Sequence, residues 1–223
     1  MFKQYFSVHS EAAYSSLGRH NSPQIDHNGL DLETSGLDPN TNAIHQVCCV
    51  FWDSDKPLAP DNRSVVICSQ PTTTAKETNI LQADNERDLL LKFKEVIRKH
   101  DPDIFVGYYT NSFDQKFLQY RLQMFGLTES YQDLGRGDKA VFKEQMLQSS
   151  ALGANAQTLW MIPGRTTMDL FLYCKINFPT LENFKLNTAA KKFVGDEKVS
   201  LFCTRHCLIT NHQTLLFPCA IAG

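Results

Sequence analysis

The sequence lacks long hydrophobic runs and a strong net charge. No stretch approaches the ~20 apolar residues of a membrane-spanning helix, and the first residues contain no apolar core of a secretion signal. The formal net charge is −2, so no overall basic field indicates nucleic acid as the partner. We therefore expect a soluble protein in which any charged binding site is local.

A regular cysteine framework is also missing. The chain has 7 cysteines, an odd number, without the spacing of a disulfide scaffold, which is typical of a reduced intracellular protein. Cys203, His206, Cys207 and His212 match no familiar zinc-finger spacing, so we do not expect a zinc site. The 223 residues, 42% of them hydrophobic, are enough for one main domain with a sizeable core.

Hydrophobic patterns predict an α/β protein. Residues 1–28 are polar and are interpreted as an arm, while residues 47–52, 64–68 and 104–109 have strand composition. Residues 84–100 and 114–125 repeat apolar side chains at helical spacing. We expect residues 129–164 to be irregular, and residues 167–178 and 181–194 to form two more helices, the second ending at Gly195.

Three carboxylates stand out from this pattern. Asp31 and Glu33 are two apart on a predicted strand and so share one face, although a lone pair of this kind is usually an ordinary turn or strand edge. Asp114 follows a strand after a short turn, which directs it to the same end of the sheet. Acids packed together repel unless a cation neutralises them, and Mg²⁺ or Mn²⁺ suits carboxylate oxygens.

The same segments resemble a known family. DPDIFVGYYTNSFDQKFLQYRLQMFGL (101–127) is similar to the second exonuclease motif of family B DNA polymerases, and GLDLETSG (29–36) is similar to the first. SSALGANAQTLWMIPGRTTMDLFLYCK and LENFKLNTAAKKFVGDEK resemble later segments of delta-type and large-DNA-virus polymerases. The resemblance implies a ribonuclease H-like exonuclease domain over 29–198, with a central mixed sheet flanked by helices, and leaves 199–223 unmatched.

The resemblance also implies an activity. Such domains hydrolyse the 3′ end of single-stranded DNA with two divalent metal ions, Mg²⁺ or Mn²⁺. By position, Asp31 would bridge the metals, Glu33 would orient water or bind the second metal, and Asp114 would be a ligand or support. Single-stranded DNA and other replication subunits are the implied partners, at a nuclear or viral replication site.

Contacts with DNA are assigned less directly. Phe113 and Leu37 are placed where apolar side chains would stack on the DNA end, with burial in the core as the commoner role for such residues. Asn111 is assigned to DNA as well, because it lies beside the second motif, although it is out of register with the motif's asparagine.

The chain departs from the family pattern in three places. The third motif, a tyrosine followed four positions later by an aspartate, is missing, since Tyr173 is followed by Asn177. Asp169 belongs to a different segment and is no substitute. Tyr109 stands where the second motif has asparagine, and DHNG (26–29) replaces apolar residues before the first motif. We expect a domain incomplete at its C-terminus, truncated before the third motif, without a polymerase domain and weak or inactive as a nuclease.

Two other functions compete with this interpretation. A non-catalytic module that binds nucleic acid or a replication complex would keep the fold and lose the chemistry. A stand-alone exonuclease beginning with DLETSGLD would share the first motif, but GRTTMDLF and LNTAAKKF argue against it because stand-alone members lack those segments.

Overall fold

The computed structural model describes residues 25–53, 64–73, 79–149, 153–193, 195 and 207–208. Its strands are Asp26–Thr34 (β1), Ile44–Asp53 (β2), Ser64–Cys68 (β3), Thr72–Thr73 (β4), Asn79–Gln82 (β5), Ile104–Gly107 (β6), Val141–Ser149 (β7), Gly153–Met161 (β8), Thr166–Asp169 (β9) and Cys207–Leu208 (β10). Its α-helices are Glu86–His100 (α1), Asp114–Met124 (α2), Thr128–Tyr131 (α3), Leu170–Asn177 (α4) and Leu186–Phe193 (α5), and Gln132–Leu134 forms a 3₁₀ turn.

Six of these strands form one mixed sheet in the order β5-β3-β2-β1-β6-β9. β1 and β2 are antiparallel, as are β2 and β3, whereas β6 is parallel to both β1 and β9. β1 therefore lies inside the sheet, with helices packed on the sheet's faces. This architecture confirms the predicted α/β class.

Helix α1 forms as its sequence predicts. The Asn85 side chain accepts a hydrogen bond from the Asp88 N–H and caps the first turn. The helix ends where Asp101 adopts a left-handed conformation, with φ 45°, just before Pro102. Its apolar face is buried against the sheet, so the cap and the hydrophobic spacing together account for the element.

The two faces of the sheet carry cores of different size. The larger core contains Leu30 and Leu32 from β1 and the apolar faces of α1 and α2. The smaller core joins Val106 and Tyr108 to helices α4 and α5. Because side chains alternate along a strand, odd-numbered residues of β1 point towards the smaller core.

The polar residues before Gly29 do not form an arm throughout. β1 begins at Asp26, so His27 and Asn28, which were expected to lie in an arm, are buried within a central strand. The His27 ring stacks on Trp52 with centroids 5.0 Å apart, and pairing with β2 on one side and β6 on the other fixes the backbone. Residues 1–24 of the predicted arm lie outside the described part of the chain.

The segment expected to be irregular contains a hairpin instead. β7 and β8 pair antiparallel from Val141↔Met161 to Ser149↔Gly153. The hairpin was missed because many of its side chains are polar and exposed, which hides the period of a strand. Its base is fixed to the core by Trp160, whose ring stacks on Phe142 at 5.6 Å.

Both late helices begin later than expected. Residues 166–169, read partly as helix from the sequence, form strand β9 because they pair parallel with β6, an interaction that a local pattern does not reveal. The last helix starts at Leu186 rather than near Leu181. Gly195 has φ 79°, a conformation that glycine adopts without strain.

Most of the tail lies outside the described residues, including His206 and His212. The described pair Cys207–Leu208 runs parallel to Thr72–Thr73. None of the helices that the structure describes is long and apolar enough to cross a membrane.

Candidate metal-binding active site

The site lies where three neighbouring parallel strands end. β1, β6 and β9 run in the same direction, so their carboxyl ends share one edge of the sheet. The pairing of β1 with β6 stops at Gly29↔Val106, while β1 continues to Thr34. Beyond Gly29, the edge of β1 is therefore not paired with β6, and the segment that follows β6 lies beside it.

Asp114 occupies this edge. It is the first residue of α2, is 2% exposed, and its Oδ1 accepts a hydrogen bond of 3.1 Å from the Leu32 N–H. Leu32 lies between Asp31 and Glu33 in the strand. The structure therefore brings the acid of the second motif against the acidic segment of the first, as the sequence predicted.

Asp31 and Glu33 lie together on the face of β1 that is directed towards the smaller core. Asp31 is buried and Glu33 is half-buried. Cys48 pairs with Asp31 across β1 and β2. Burial raises the pKa of the Cys48 thiol well above its usual range, and the charges of Asp31 and Glu33 raise it further. A concentrated negative charge therefore surrounds this part of the strand.

Burial and charge also act on Asp114. Burial raises the pKa of its carboxyl to about 7, while the Leu32 N–H and its own N–H oppose the shift. The nearby carboxylates of Asp169 and Glu33 contribute further to the rise. Near neutral pH, Asp114 thus holds a proton part of the time, which relieves the repulsion within the acidic cluster.

The donor chemistry suits a hard cation, but the acids are not assembled as a group of ligands. Carboxylate oxygens are what Mg²⁺ and Mn²⁺ prefer, and repulsion among these acids is what a cation would neutralise. Within the described residues, however, no three His, Cys, Asp or Glu side chains are grouped so that they could hold a metal ion together. Binding by Asp31, Glu33 and Asp114 stays a prediction and would need the side chains to rearrange.

The turn between β6 and α2 holds two of the residues assigned to DNA. Asn111 is buried, and its side-chain oxygen accepts a hydrogen bond of 3.1 Å from Gln115. Phe113 is half-buried and packs on the larger core, and its ring centroid lies 4.9 Å from that of Phe117. Both residues have structural roles here, and their contacts with DNA stay predictions.

Leu37 lies on the exposed loop that links β1 to β2. Its side chain is 56% exposed, as a residue that stacks on a ligand requires. A buried ion pair between Glu86 and Arg121 fixes the far end of this loop, since the Ile44 N–H donates to Glu86 at 2.8 Å and Arg121 donates to the Pro39 carbonyl. A contact between Leu37 and DNA stays a prediction.

One carboxylate of this edge was set aside in the sequence. Asp169 ends β9, is buried, and accepts hydrogen bonds from the backbone N–H groups of Tyr109, Asn111 and Phe171. Asp169 could have been recognised from its position at the carboxyl end of a third parallel strand, but the sequence pattern of β9 was interpreted as helix.

The mixed sheet flanked by helices is an α/β fold, and with the acidic residues at its carboxyl edge it is consistent with an exonuclease domain of the ribonuclease H-like type. A sequence model of the family described as DNA polymerase family B, exonuclease domain, matches residues 3–189. The chain belongs to this family.

Individual relatives agree with the family match. The DNA polymerase delta catalytic subunit of Candida albicans is 30% identical over 193 residues, which is 82% of this chain and 18% of that protein. The subunit of the same name from Schizosaccharomyces pombe is 25% identical over 82% of this chain and 17% of its own length. A DNA polymerase of Pyramimonas orientalis virus is 30% identical over 52% of this chain and 10% of its own length. The chain thus spans less than a fifth of each of these relatives.

Proposed function

We propose that the chain is the 3′-to-5′ exonuclease part of a family B DNA polymerase and that it removes nucleotides slowly from single-stranded DNA 3′ ends. The observation that best supports this is the hydrogen bond from the Leu32 N–H to Asp114, because it joins the two acidic motifs. Membership of the family supports the reaction class. Proofreading, with replication subunits as partners at a nuclear or viral replication site, follows from the same proposal.

Asp31, Glu33 and Asp114 would hold Mg²⁺ or Mn²⁺. When bound, the ion would supply Lewis acidity and activate a water for attack on the terminal phosphodiester. Asp31 and Glu33 would present oxygens from one face of β1, and Asp114 would support the ion in its charged form. Burial and the neighbouring carboxylates of Asp169 and Glu33 disfavour that form in the protein without an ion, because they raise the pKa of Asp114 to about 7.

These 223 residues alone should react slowly because a group that positions the substrate is altered: Tyr109 stands where the second motif of the family has an asparagine. Residues 199–223 contain no Asp or Glu, so this segment supplies no further acid to the site. Misplacing an attacking water usually costs powers of ten in rate. We expect fewer than about one nucleotide removed per second, below the usual range of enzymes.

The test follows a 5′-labelled single-stranded oligonucleotide with Mn²⁺ present. A slow ladder of products shortened one nucleotide at a time is expected, and Asp31→Asn or Glu33→Gln should abolish it. Glu95→Gln is the matched control, because Glu95 is an acid on α1 that is 68% exposed. Equal cleavage by the wild type and by Asp31→Asn would exclude this site.

A non-catalytic nucleic-acid-binding or replication-complex module is the second candidate. The observation that favours it is that the three acids, as the described residues place them, do not form a group able to hold an ion. Fluorescence anisotropy of labelled single-stranded DNA in EDTA separates the two. Tight binding with no cleavage in Mn²⁺ supports the module, whereas cleavage that depends on Asp31 supports the nuclease.

A further inference from the structure

Asp169 makes more hydrogen bonds than capping a helix requires. Its Oδ1 accepts from the Phe171 N–H at 2.9 Å, which is an ordinary cap at the start of α4. The same oxygen accepts from the Tyr109 N–H at 2.9 Å, and Oδ2 accepts from the Asn111 N–H at 3.1 Å. Asp169 is 8% exposed, so these bonds are made away from solvent. The Tyr109 and Asn111 N–H groups therefore belong to the turn after β6, not to the helix that Asp169 caps.

That turn leads directly to Asp114. The N–H groups of Ser112 and Phe113 donate to the Tyr109 carbonyl at 3.2 and 3.1 Å, so Tyr109 is where the chain reverses before α2 begins. The conformation at Tyr109 thus decides where the helix starts and where the Asp114 carboxyl lies.

Tyr109 has an unfavourable backbone conformation for a large residue. Its φ is 62°, in the left-handed region that glycine and asparagine enter much more readily than tyrosine. Such a conformation persists only where the surroundings hold it. The N–H groups of Tyr109 and Asn111 both donate hydrogen bonds to Asp169, so Asp169 restrains the turn on both sides of Thr110.

We propose that Asp169 is a positioning residue: its buried carboxylate holds the turn at Tyr109–Asn111 in the shape that directs Asp114 to the Leu32 N–H. Gly107 pairs with Asp169 across β6 and β9, so the two strand ends that carry the turn and the carboxylate are fixed to each other. The consequence for metal binding rests on the proposed function, while the restraint on the turn does not.

The geometry argues against two other roles for Asp169. As a metal ligand it would need free acceptor positions, but three N–H groups already use most of the roughly four that a carboxylate offers. As a simple helix cap it would need only the Phe171 bond. Burial raises the pKa of Asp169 and the N–H groups of Asn111, Phe171 and Tyr109 counter this rise, as expected when they stabilise its charged form.

Amide hydrogen exchange in EDTA tests the restraint without metal or DNA. In Asp169→Asn, the amides of Tyr109, Asn111 and Leu32 should exchange about tenfold faster or more, the scale of one lost buried hydrogen bond to a charged acceptor. The matched control is Asp133→Asn, an acid that is 47% exposed, which should leave these three amides unchanged. Faster exchange only at Phe171, or equally at every amide of the fold, would overturn the proposal.

A second variant keeps the proposal testable if Asp169→Asn folds poorly. Tyr109→Gly removes the need for a restraint, because glycine enters the left-handed region freely. If the proposed site binds Mn²⁺, Asp169→Asn should weaken Mn²⁺ binding at least about fivefold when residue 109 is tyrosine. In the Tyr109→Gly background, the same substitution should weaken binding less than about twofold. The difference is expected because the effects of neighbouring residues that share one restraint are not additive. An equal loss in both backgrounds would overturn the positioning role. Failure of the wild type to bind Mn²⁺ would count against the proposed function alone, since the exchange experiment needs no metal.

Discussion

The Leu32 N–H donates to Asp114 Oδ1 over 3.1 Å, although the two residues are 82 positions apart in the sequence. β1 extends beyond the last residue that pairs with β6, so β6 offers no backbone acceptor to the Leu32 N–H. The Asp114 carboxylate accepts the hydrogen bond from this N–H, and it is buried there beside the carboxylates of Asp169 and Glu33. One hydrogen bond thus completes the edge of a central strand and holds Asp114 beside the segment that carries Asp31 and Glu33.

The raised pKa of Asp114 predicts a pH dependence of folding. Its folded-state pKa of about 7 lies above the ordinary 3.8, so its stabilising contribution is complete below about pH 3.8 and is lost as the pH rises through about 7. Asp114→Asn keeps the oxygen that accepts from Leu32 but does not titrate. Between pH 5 and pH 8, we expect the wild type to lose on the order of 2–3 kcal/mol of unfolding free energy relative to Asp114→Asn.

Urea unfolding in EDTA at the two pH values measures this difference. Asp133→Asn is the control and should follow the wild-type pH profile. Parallel profiles for the wild type and Asp114→Asn would contradict the raised pKa.

The left-handed conformation of Tyr109 predicts a reversed preference between alanine and glycine. At ordinary helix positions glycine is less stable than alanine by about 1 kcal/mol. At φ 62° the order should reverse, with Tyr109→Gly more stable than Tyr109→Ala by roughly 1 kcal/mol, because both lose the ring and only glycine avoids the strain.

Thermal or urea unfolding of four variants checks the reversal. Glu95→Gly and Glu95→Ala, in the middle of α1, supply the normal order. If Tyr109→Ala is the more stable of its pair, the turn does not have the conformation described.

The buried ion pair between Glu86 and Arg121 should matter far more than an exposed pair. Their side chains are 9% and 8% exposed, and both also bind the backbone around the loop that carries Leu37. Arg121→Ala leaves Glu86 buried without its counter-charge, so we expect a loss of about 3–5 kcal/mol of unfolding free energy.

Arg98→Ala is the matched comparison in the same urea titration. Arg98 pairs with Asp133 at 2.7 Å, but both side chains are 47% exposed, and the expected loss is below about 1 kcal/mol. Similar losses in the two variants would show that burial of the Glu86–Arg121 pair has little effect.

Local sequence signals predicted the elements that depend on local physics. Helix α1 has a cap at Asn85, an apolar face and a left-handed end at Asp101, all within one segment. Strand β9 was missed because its pairing with the distant strand β6 determines it. Hairpin β7–β8 was missed because its strands are largely polar and show no clear local periodicity. The start of β1 at Asp26 is fixed in the same way by its two neighbouring strands.

The candidate site shows the same division. The position of Asp114 against the segment that carries Asp31 and Glu33 could be predicted, because residues at the carboxyl ends of neighbouring parallel strands meet at one edge of a sheet. Their role as metal ligands stays a prediction. Asp169 could not be given its role, since its partners Tyr109 and Asn111 lie 60 and 58 positions away and offer only backbone N–H groups. Backbone donors leave no pattern in a sequence.

Titration with Mn²⁺, followed by water-proton relaxation, tests the central claim that the acidic edge takes a divalent cation. We expect weak binding by the wild type and by the Glu95→Gln control. Asp31→Asn and Asp114→Asn should each weaken it more than about tenfold, since each removes an oxygen ligand or its support. Unchanged Mn²⁺ affinity in both variants would contradict the account, because the bound ion would then lie elsewhere.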